Sequence, residues 1–427
     1  MVVLLLVLVV VLALLGAVHW YVWRRLVRDV TAPGGLPRRL GTAAVVVLPL
    51  FSLAALVSSR AGVPFRLQQV LAWPGQMWLA VLLYLVLALL VGEAVRPLLR
   101  TRLARRTPAA DAVTAPEPAP VPVSIPAAAP EPAPTATDPA TGPATGPADL
   151  TDPSRRLFVS RVVGGAAAAV ALGTVGHGTY GVLRGPRVKR VTVPLAKIPR
   201  AAHGYRIAVV SDIHLGPILG RAHTERIVDT INSTQPDLIA VVGDLVDGTV
   251  ADLGSAAEPL ARLRARHGSF FVTGNHEYFS GADAWVDHVR ELGLRPLRNE
   301  RLEIAAGFDL AGVDDVAGES EGRGPDFGRA LGDRDRARAA VLLAHQPIVV
   351  HDAVRHGVDL QLSGHTHGGQ LWPGNLLAEL ANPTVAGLER YGDTQLYVSR
   401  GAGAWGPPVR VGAPSDITVV ELASKQA

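Results

Sequence analysis

A run of five apolar residues, Leu238–Val242, constrains the fold more than any other stretch of this 427-residue chain. A strand that is apolar at every position is typical of a parallel sheet covered by helices on both faces. Gly243 permits a tight turn directly after the run, and Asp244 follows it. Because ligands of open α/β sheets bind beyond the carboxyl ends of the strands, the sequence predicts an α/β fold with Asp244 at the binding edge.

Four further apolar runs end in polar side chains that can bind metals. Strands are predicted over residues 206–210, 269–272, 340–343 and 358–362. The side chains that follow them are, in chain order, Asp212, His214, Asn275, His276, His345, His365 and His367. A histidine after a single strand is usually structural, but five such endings in one chain indicate a shared site. Carboxylate, imidazole and amide ligands together suit Mn, Fe or Zn better than Ca or Mg. The sequence therefore predicts two divalent metal ions that share Asp244, about 3.5–4 Å apart.

These stretches resemble the sequence blocks of the calcineurin-like metallophosphoesterases. The blocks of that family are DxH, GDxxD, GNH[DE], a single His and GHxH. They stand here in the same order as DIH, GDLVD, GNHE, AHQP and GHTH, within residues 205–422. The resemblance implies a four-layer α/β/β/α sandwich, with two sheets inside and helices outside.

The resemblance also implies a role for each of these side chains. One metal ion would be bound by Asp212, His214, Asp244 and His367, and the second by Asp244, Asn275, His345 and His365. His276 would be the catalytic general acid, and Asp247 would orient its ring. Protein Ser/Thr phosphatases of this superfamily continue the GDxxD block with an arginine. Gly248 stands there instead, which argues against a phosphoprotein substrate.

The N-terminal region is too apolar for a soluble domain, in a chain that is 48% hydrophobic overall. Residues 1–23 carry no charge, and residues 40–57 and 77–92 form two more apolar stretches. About 20 apolar residues suffice for a helix to cross a bilayer. We therefore expect three transmembrane helices within residues 1–106 of a multi-pass cell-membrane protein. A signal peptide is the alternative for the first stretch, but no basic region precedes it and two more stretches follow.

Arginine placement predicts how these helices are oriented. Arginines cluster between the first and second stretches and again after the third, whereas the remaining loop has only Arg60 and Arg66. Arginine-rich flanks usually face the cytoplasm, so the loop with Arg60 is expected outside. The net charge of +4 is largely explained by these flanks. No basic and aromatic pattern indicates nucleic-acid binding, and we expect no nucleic-acid partner.

Two segments connect the membrane region to a catalytic domain predicted over residues 188–424. Residues 107–153 are rich in Pro, Ala and Thr and are expected to form a disordered linker. Residues 154–178 contain Arg155 and Arg156 before a weakly apolar stretch, which resembles a twin-arginine export signal retained as a fourth transmembrane segment. A basic flank on an ordinary short helix is the alternative. If the segment crosses the membrane, the catalytic domain is extracytoplasmic.

Together these features predict a membrane-anchored two-metal phosphohydrolase. The expected substrate is a phosphodiester or pyrophosphate of a lipid or cell-envelope molecule, because the anchor concentrates the enzyme at the bilayer. A phosphomonoesterase or nucleotide hydrolase is one alternative, and a metal-stabilised regulatory module without turnover is another. The expected partners are the lipid bilayer, a phosphorylated small-molecule or lipid substrate and, if the export signal functions, the twin-arginine machinery.

Overall fold

The structure, a computed structural model, describes residues 2–58, 60–105 and 151–425. The predicted linker over 107–153 lies outside the described residues except for its last three, which are helical. The chain forms two compact units. One consists of Met1–Gly41 and Leu87–Ala167, and the other of Thr42–Val86 and Ala168–Ala427.

Four long helices account for the N-terminal region. They are α1 Val2–Trp23, α2 Leu36–Ser58, α3 Phe65–Arg105 and α4 Thr151–Leu183. Four stretches are long and apolar enough to cross a membrane, namely Leu5–Arg28, Leu36–Ser58, Phe65–Leu99 and Arg156–Leu183. Each stretch contains or overlaps one of the predicted segments. The helix α3 extends well beyond the predicted core of 77–92, because hydropathy marks only the part of a helix that lipid can cover.

The second unit contains twelve described strands in two six-stranded sheets. The order in the first sheet is β1-β12-β2-β3-β4-β5, and in the second β10-β11-β9-β8-β7-β6. The strands of the first sheet are β1 Arg187–Leu195, β2 Tyr205–Val210, β3 Leu238–Val242, β4 Ser269–Val272, β5 Arg295–Pro296 and β12 Asp416–Ser424. Those of the second are β6 Glu300–Ile304, β7 Phe308–Gly312, β8 Ala339–Leu343, β9 Leu360–Ser363, β10 Gly387–Tyr391 and β11 Thr394–Val398.

Helices cover the outer face of each sheet. They are α5 Arg221–Ser233, α6 Val250–Ala257 and α8 Ala282–Glu291 on the first sheet, and α9 Phe327–Leu331 and α10 Val350–Arg355 on the second. Two further short helices, α7 Asn275–Ser280 and α11 Gly374–Ala381, lie in loops between strands. Ile227 of α5 and Trp285 of α8 are fully buried against the first sheet, and Ala330 of α9 against the second. Phe308 and Val209 belong to the core between the two sheets. The predicted four-layer α/β/β/α sandwich is therefore confirmed.

Several predicted elements have the observed bounds. The strands β3 and β4 begin and end where the pattern places them. The sequence also predicts a helix over residues 221–233, which is α5, and a hairpin over residues 297–313, which contain the antiparallel pair β6 and β7. The sequence further predicts a helix over residues 253–266, but α6 ends at Ala257 and a 3₁₀ turn, Glu258–Arg262, follows it. Pro259 in that turn has no N–H group with which to continue the α-helical hydrogen bonding.

The strands that lead into the candidate site belong to both sheets. In the first sheet β2, β3 and β4 are parallel neighbours, and in the second sheet β8 and β9 are parallel neighbours. Parallel neighbours direct their carboxyl ends to the same edge. The loops of the two sheets therefore meet at one end of the sandwich.

Candidate metal centre

The loops after β2 and β3 remain paired beyond the ends of their strands. The backbone N–H of Asp212 donates to the carbonyl of Gly243 at 3.1 Å, and that of His214 donates to the carbonyl of Asp244 at 3.1 Å. These hydrogen bonds continue the sheet in irregular form and satisfy backbone groups that would otherwise be buried without partners. They fix two predicted ligand segments against each other.

The backbone is bent at most of the predicted ligands. Eight described residues other than glycine have a positive φ. Five of them, with φ between 48° and 72°, are Asp212, His214, Asp244, His365 and His367. Such conformations cost about 1–3 kcal/mol each and cluster at functional sites. They turn side chains from separate loops toward one space.

Two glycines allow these loops to touch. Gly243 has φ +74°, and a Cβ atom there would lie 2.6 Å from Nδ1 of His345. A Cβ atom at Gly364 would collide with the side chains of Ser211 and Asp212. Both collisions are closer than real Cβ contacts allow, so the GD and GH pairs of the sequence blocks place a glycine where backbone must lie against a neighbouring loop.

Asp212, His214 and His367 form the first group of possible metal ligands, with donor atoms within 4.8 Å of one another. The Nε2 atoms of His214 and His367 are 2.9 Å apart, and Nε2 of His367 lies 3.3 Å from Oδ1 of Asp212. Asp244 is close by, with Oδ2 3.7 Å from Nε2 of His214. The structure thus brings together the four residues predicted for the first metal ion.

Asp244, His345 and His365 form the second group, again with donor atoms within 4.8 Å. Nε2 of His345 lies 3.1 Å from Oδ2 of Asp244, and Nδ1 of His365 lies 3.0 Å from Oδ1 of Asn275. Although it is buried, Nε2 of His345 has no aligned hydrogen-bond partner among the described residues. An orphaned nitrogen beside a buried carboxylate fits a metal ligand, because burying both groups without a cation is costly. The donor set therefore fits two adjacent divalent ions that share Asp244.

Asp247 contacts two of the imidazoles at once. Its Oδ1 atom lies 2.9 Å from Nδ1 of His214 and 2.7 Å from Nδ1 of His276. The backbone N–H of His276 also donates to Oδ1 of Asp244 at 2.9 Å. The structure brings Asp247 and His276 together, which is the arrangement that their predicted roles require. The contact with His214 was not foreseen.

Burial and charge shift the pKa values of these groups strongly. Burial would lower the pKa of His214, but the neighbouring carboxylates, Asp247 foremost, raise it to about 9. Burial would raise the pKa of Asp247, but the charge of His214 lowers it to about 2. Burial lowers the pKa of His365 to about 4 and holds the pKa of His367 well below its usual value, so both are neutral imidazoles. Neutral imidazole is the form that binds a metal ion.

Glu277 is a residue of the site to which the sequence analysis gave no role. Its fully buried carboxylate accepts hydrogen bonds from the backbone N–H groups of Gly274 at 2.6 Å, Asp244 at 2.9 Å and Leu245 at 2.8 Å. Burial, together with the charge of Asp244, raises the pKa of Glu277 to about 7. The hydrogen bonds of Glu277 connect the GNHE segment to the GDLVD segment. The glutamate of the GNHE block is the sequence feature from which a role for Glu277 could have been predicted.

Arg410 was also missed. It is buried, and its guanidinium donates to the carbonyls of Gly403 at 2.7 Å, His367 at 3.0 Å and Ala413 at 3.1 Å. It also lies 3.1 Å from Nδ1 of His367. Arg410 therefore supports the loop that carries a predicted ligand. Nothing in the sequence marks it, because it stands 43 residues after His367 and outside every block.

Two exposed aromatic rings flank His276. The ring centroids of Phe279 and Trp405 lie 5.6 Å and 5.7 Å from that of His276, both edge to face. Phe279 is 75% exposed and Trp405 is 60% exposed. The surface beside the predicted general acid is therefore apolar.

Similarities to known proteins agree with this geometry. Residues 205–369 match the family described as calcineurin-like phosphoesterase. A metallophosphoesterase of Aquifex aeolicus is 36% identical over 262 residues, which cover 60% of this chain and 98% of that protein. The chain belongs to the calcineurin-like metallophosphoesterases. The predicted family is thus confirmed.

The match covers a smaller share of other relatives. A zebrafish protein, named as a transmembrane protein with metallophosphoesterase domain, is 39% identical over 264 residues, or 59% of this chain and 60% of that protein. A Helicobacter pylori metallophosphoesterase is 37% identical over 257 residues, or 60% of this chain and 68% of that protein. The match thus spans about 60% of the zebrafish relative, and relatives occur in both bacteria and eukaryotes.

Asp247→Asn should weaken the site in two ways. An amide oxygen carries no charge, so it accepts the two Nδ1–H groups more weakly than the carboxylate does, and the imidazoles of His214 and His276 are held less firmly. Losses of such supporting contacts typically cost about 10–100-fold in metal affinity or activity. Metal affinity would be measured by titrating metal into the stripped full chain. Asp252→Asn, at an exposed position beside Thr249, is the matched control and should bind metal like the parent.

Proposed function

We propose that the chain is a membrane-anchored two-metal phosphohydrolase that cleaves a phosphodiester or pyrophosphate of a lipid or cell-envelope molecule. The observation that carries this proposal is the position of Asp244. It lies between two groups of metal ligands, 3.1 Å from His345 and 3.7 Å from His214, with His276 beside it. A regulatory module has no need of the imidazole and carboxylate pair formed by His276 and Asp247.

The residues of the site would bind the metal ions, donate the proton and orient the proton donor. Asp212, His214, Asp244 and His367 would hold one divalent ion, and Asp244, Asn275, His345 and His365 the other. Such ions, with Mn, Fe or Zn suiting these ligands, lower the pKa of a bound water and offset negative charge on phosphoryl oxygens. His276 would hold a proton on Nε2 for the leaving oxygen, because Nδ1 faces Asp247. The edges of Phe279 and Trp405 would limit rotation of that imidazole.

The proposed lipid or cell-envelope substrate is supported by the surroundings of the site. Four stretches of the chain could cross a membrane, which would hold the enzyme at the bilayer. The exposed rings of Phe279 and Trp405 beside His276 provide an apolar surface for the part of a substrate that adjoins the phosphate. A small free sugar phosphate would leave these rings in contact with water.

Asp244→Asn should be the most damaging ligand substitution, because it weakens both metal sites at once. We expect the purified full chain to lose most of its bound metal and its hydrolysis of bis(p-nitrophenyl) phosphate. Metal content would be measured by mass spectrometry, and activity with and without added Mn or Zn. Asp287→Asn, at a position 71% exposed, is the control. Two tightly bound ions and near-normal turnover in Asp244→Asn would contradict the shared ligand.

His276→Gln should preserve metal content and slow hydrolysis according to the leaving group. Esters with poor leaving groups need a proton from His276 and should slow by about 10²–10⁴-fold, whereas p-nitrophenyl esters should lose much less. The rates would be compared across a series of aryl phosphodiesters. The exposed His351→Gln serves as control. Equal losses across the series would remove the general-acid role.

We further propose that the catalytic domain faces the extracytoplasmic side, with residues 154–178 as a twin-arginine-dependent fourth membrane segment. Support comes from Phe65, the first residue of α3, which packs against the helix-covered face of the first sheet. Because Phe65 is at the start of this candidate span, its contact supports a domain on the side of the membrane where the span begins. The loop before Phe65 is arginine-poor, as extracytoplasmic loops usually are.

Protease treatment of cells with permeable outer layers should therefore cleave the catalytic domain. A membrane-impermeant thiol reagent should label a cysteine introduced by Arg60→Cys, since the chain has no other cysteine. Changing Arg155 and Arg156 to Lys should trap the domain inside if the twin-arginine route is used. A domain that stays protected while position 60 reacts would refute the proposed orientation. Export that does not respond to the double substitution would refute the route alone.

A further inference from the structure

The helix α11 exposes apolar side chains instead of burying them. None of its eight residues, all of them described, is buried. Leu376, Leu377 and Leu380 are 56%, 71% and 85% exposed, and Trp372, just before the helix, is 54% exposed. Residues three and four apart share a helix face, so the three leucines form one apolar ridge. A large contiguous apolar patch on a folded domain usually marks an interaction surface.

By itself in water, the eight-residue helix α11 would be barely stable. Isolated helices shorter than about 12–15 residues are marginal in water, and most helical stability in proteins comes from burying an apolar face. A leucine side chain stabilises a fold when its apolar surface is removed from water. The ridge of α11 gains almost none of this stabilisation from the described residues. The helix would therefore be stabilised by another surface that covers its apolar face.

A candidate membrane span contacts the start of α11. The hydroxyl of Tyr84 donates to the backbone carbonyl of Trp372 at 3.0 Å, and Tyr84 lies within the span Phe65–Leu99. Thr179 of α4 contacts Met77 on the same helix α3. Tyr84 stands seven residues beyond Met77, which is about 10 Å further along α3 and inside its apolar stretch. The segment before α11 is therefore held against a helix that could cross the membrane.

The same segment is firmly attached to the catalytic domain. The backbone N–H of Trp372 donates to the carbonyl of Val411 at 3.0 Å, and Leu371 forms β-bridges with Val411 and Gly412. The segment follows directly on the loop that carries His367, since the 3₁₀ turn His367–Gly369 precedes it. The position of α11 is thus linked to that of a predicted metal ligand.

We propose that Trp372 and α11 form a membrane-docking element that lies in the interfacial layer of the bilayer. Amphipathic helices of this kind insert their apolar face about 5–10 Å into the boundary between headgroups and acyl chains, and tryptophan prefers that layer. Residues 371–388 contain a single charged residue, Glu379, and no basic one. Docking would therefore depend on apolar area and not on attraction to anionic lipids. The site would be held at the level of lipid headgroups.

The experiment uses the absence of cysteine in the chain. Leu377→Cys in the full chain would be labelled with an environment-sensitive fluorophore and reconstituted in phosphatidylcholine nanodiscs. Glu291→Cys on α8, whose side chain is 76% exposed, is the matched control. Leu380→Cys provides a second position on the ridge. We expect both ridge labels to show a blue-shifted emission, quenching by nitroxide-bearing lipid and several-fold weaker quenching by aqueous iodide than the control, unchanged at high salt.

Each other outcome would overturn the proposal. Equal iodide quenching at positions 377 and 291 would show that the ridge faces water. Protection from iodide without quenching by lipid nitroxide would show that protein covers it, and the mass of the particle would reveal whether the cover is a second copy. Loss of lipid quenching at high salt would indicate charge attraction instead of apolar docking. The measurement needs no turnover, so its result is independent of the proposed phosphohydrolase activity.

Discussion

The buried carboxylate of Asp244 is the interaction on which the site depends. Its oxygens accept from the backbone of His276 and lie beside His345 and His214, while its own N–H donates to Glu277. Removing one partner from a buried charge is strongly destabilising, at about 3–5 kcal/mol. Loops from two separate sheets are therefore held together, because both contribute groups that compensate the charge of Asp244. The sandwich supplies rigid strand ends, and the charge determines how the loops between them pack.

Much of this could be predicted from the sequence, for a physical reason. Strands such as Leu238–Val242 are apolar at every position, so their limits are visible as changes in composition, and the predicted ligands follow them directly. Glu277 and Arg410 could not be found in that way. Their effect lies in hydrogen bonds to backbone groups far away in the chain, and no local pattern encodes such partners. The helix α11 was missed because it is short and its apolar face does not pack on the sheets.

The membrane region and the site are connected through a few contacts of the second unit. Phe65 packs on the domain core, and Tyr84 binds the backbone of Trp372. Both residues belong to α3, so one helix contacts the domain at two places about 28 Å apart along its axis. Because the two contacts are far apart on α3, they restrict the tilt of this helix relative to the catalytic domain. The orientation of the catalytic domain relative to α3 is therefore fixed.

The double contact of Asp247 has an evolutionary consequence. One carboxylate oxygen serves both His214, a predicted metal ligand, and His276, the predicted proton donor. Metal binding and proton donation therefore cannot change independently. A substitution that alters proton delivery through Asp247 also alters how tightly the imidazole of His214 is held. Adaptation to a new leaving group is then more accessible through the exposed neighbours Phe279 and Trp405, which contact His276 without contacting His214 among the described ring pairs.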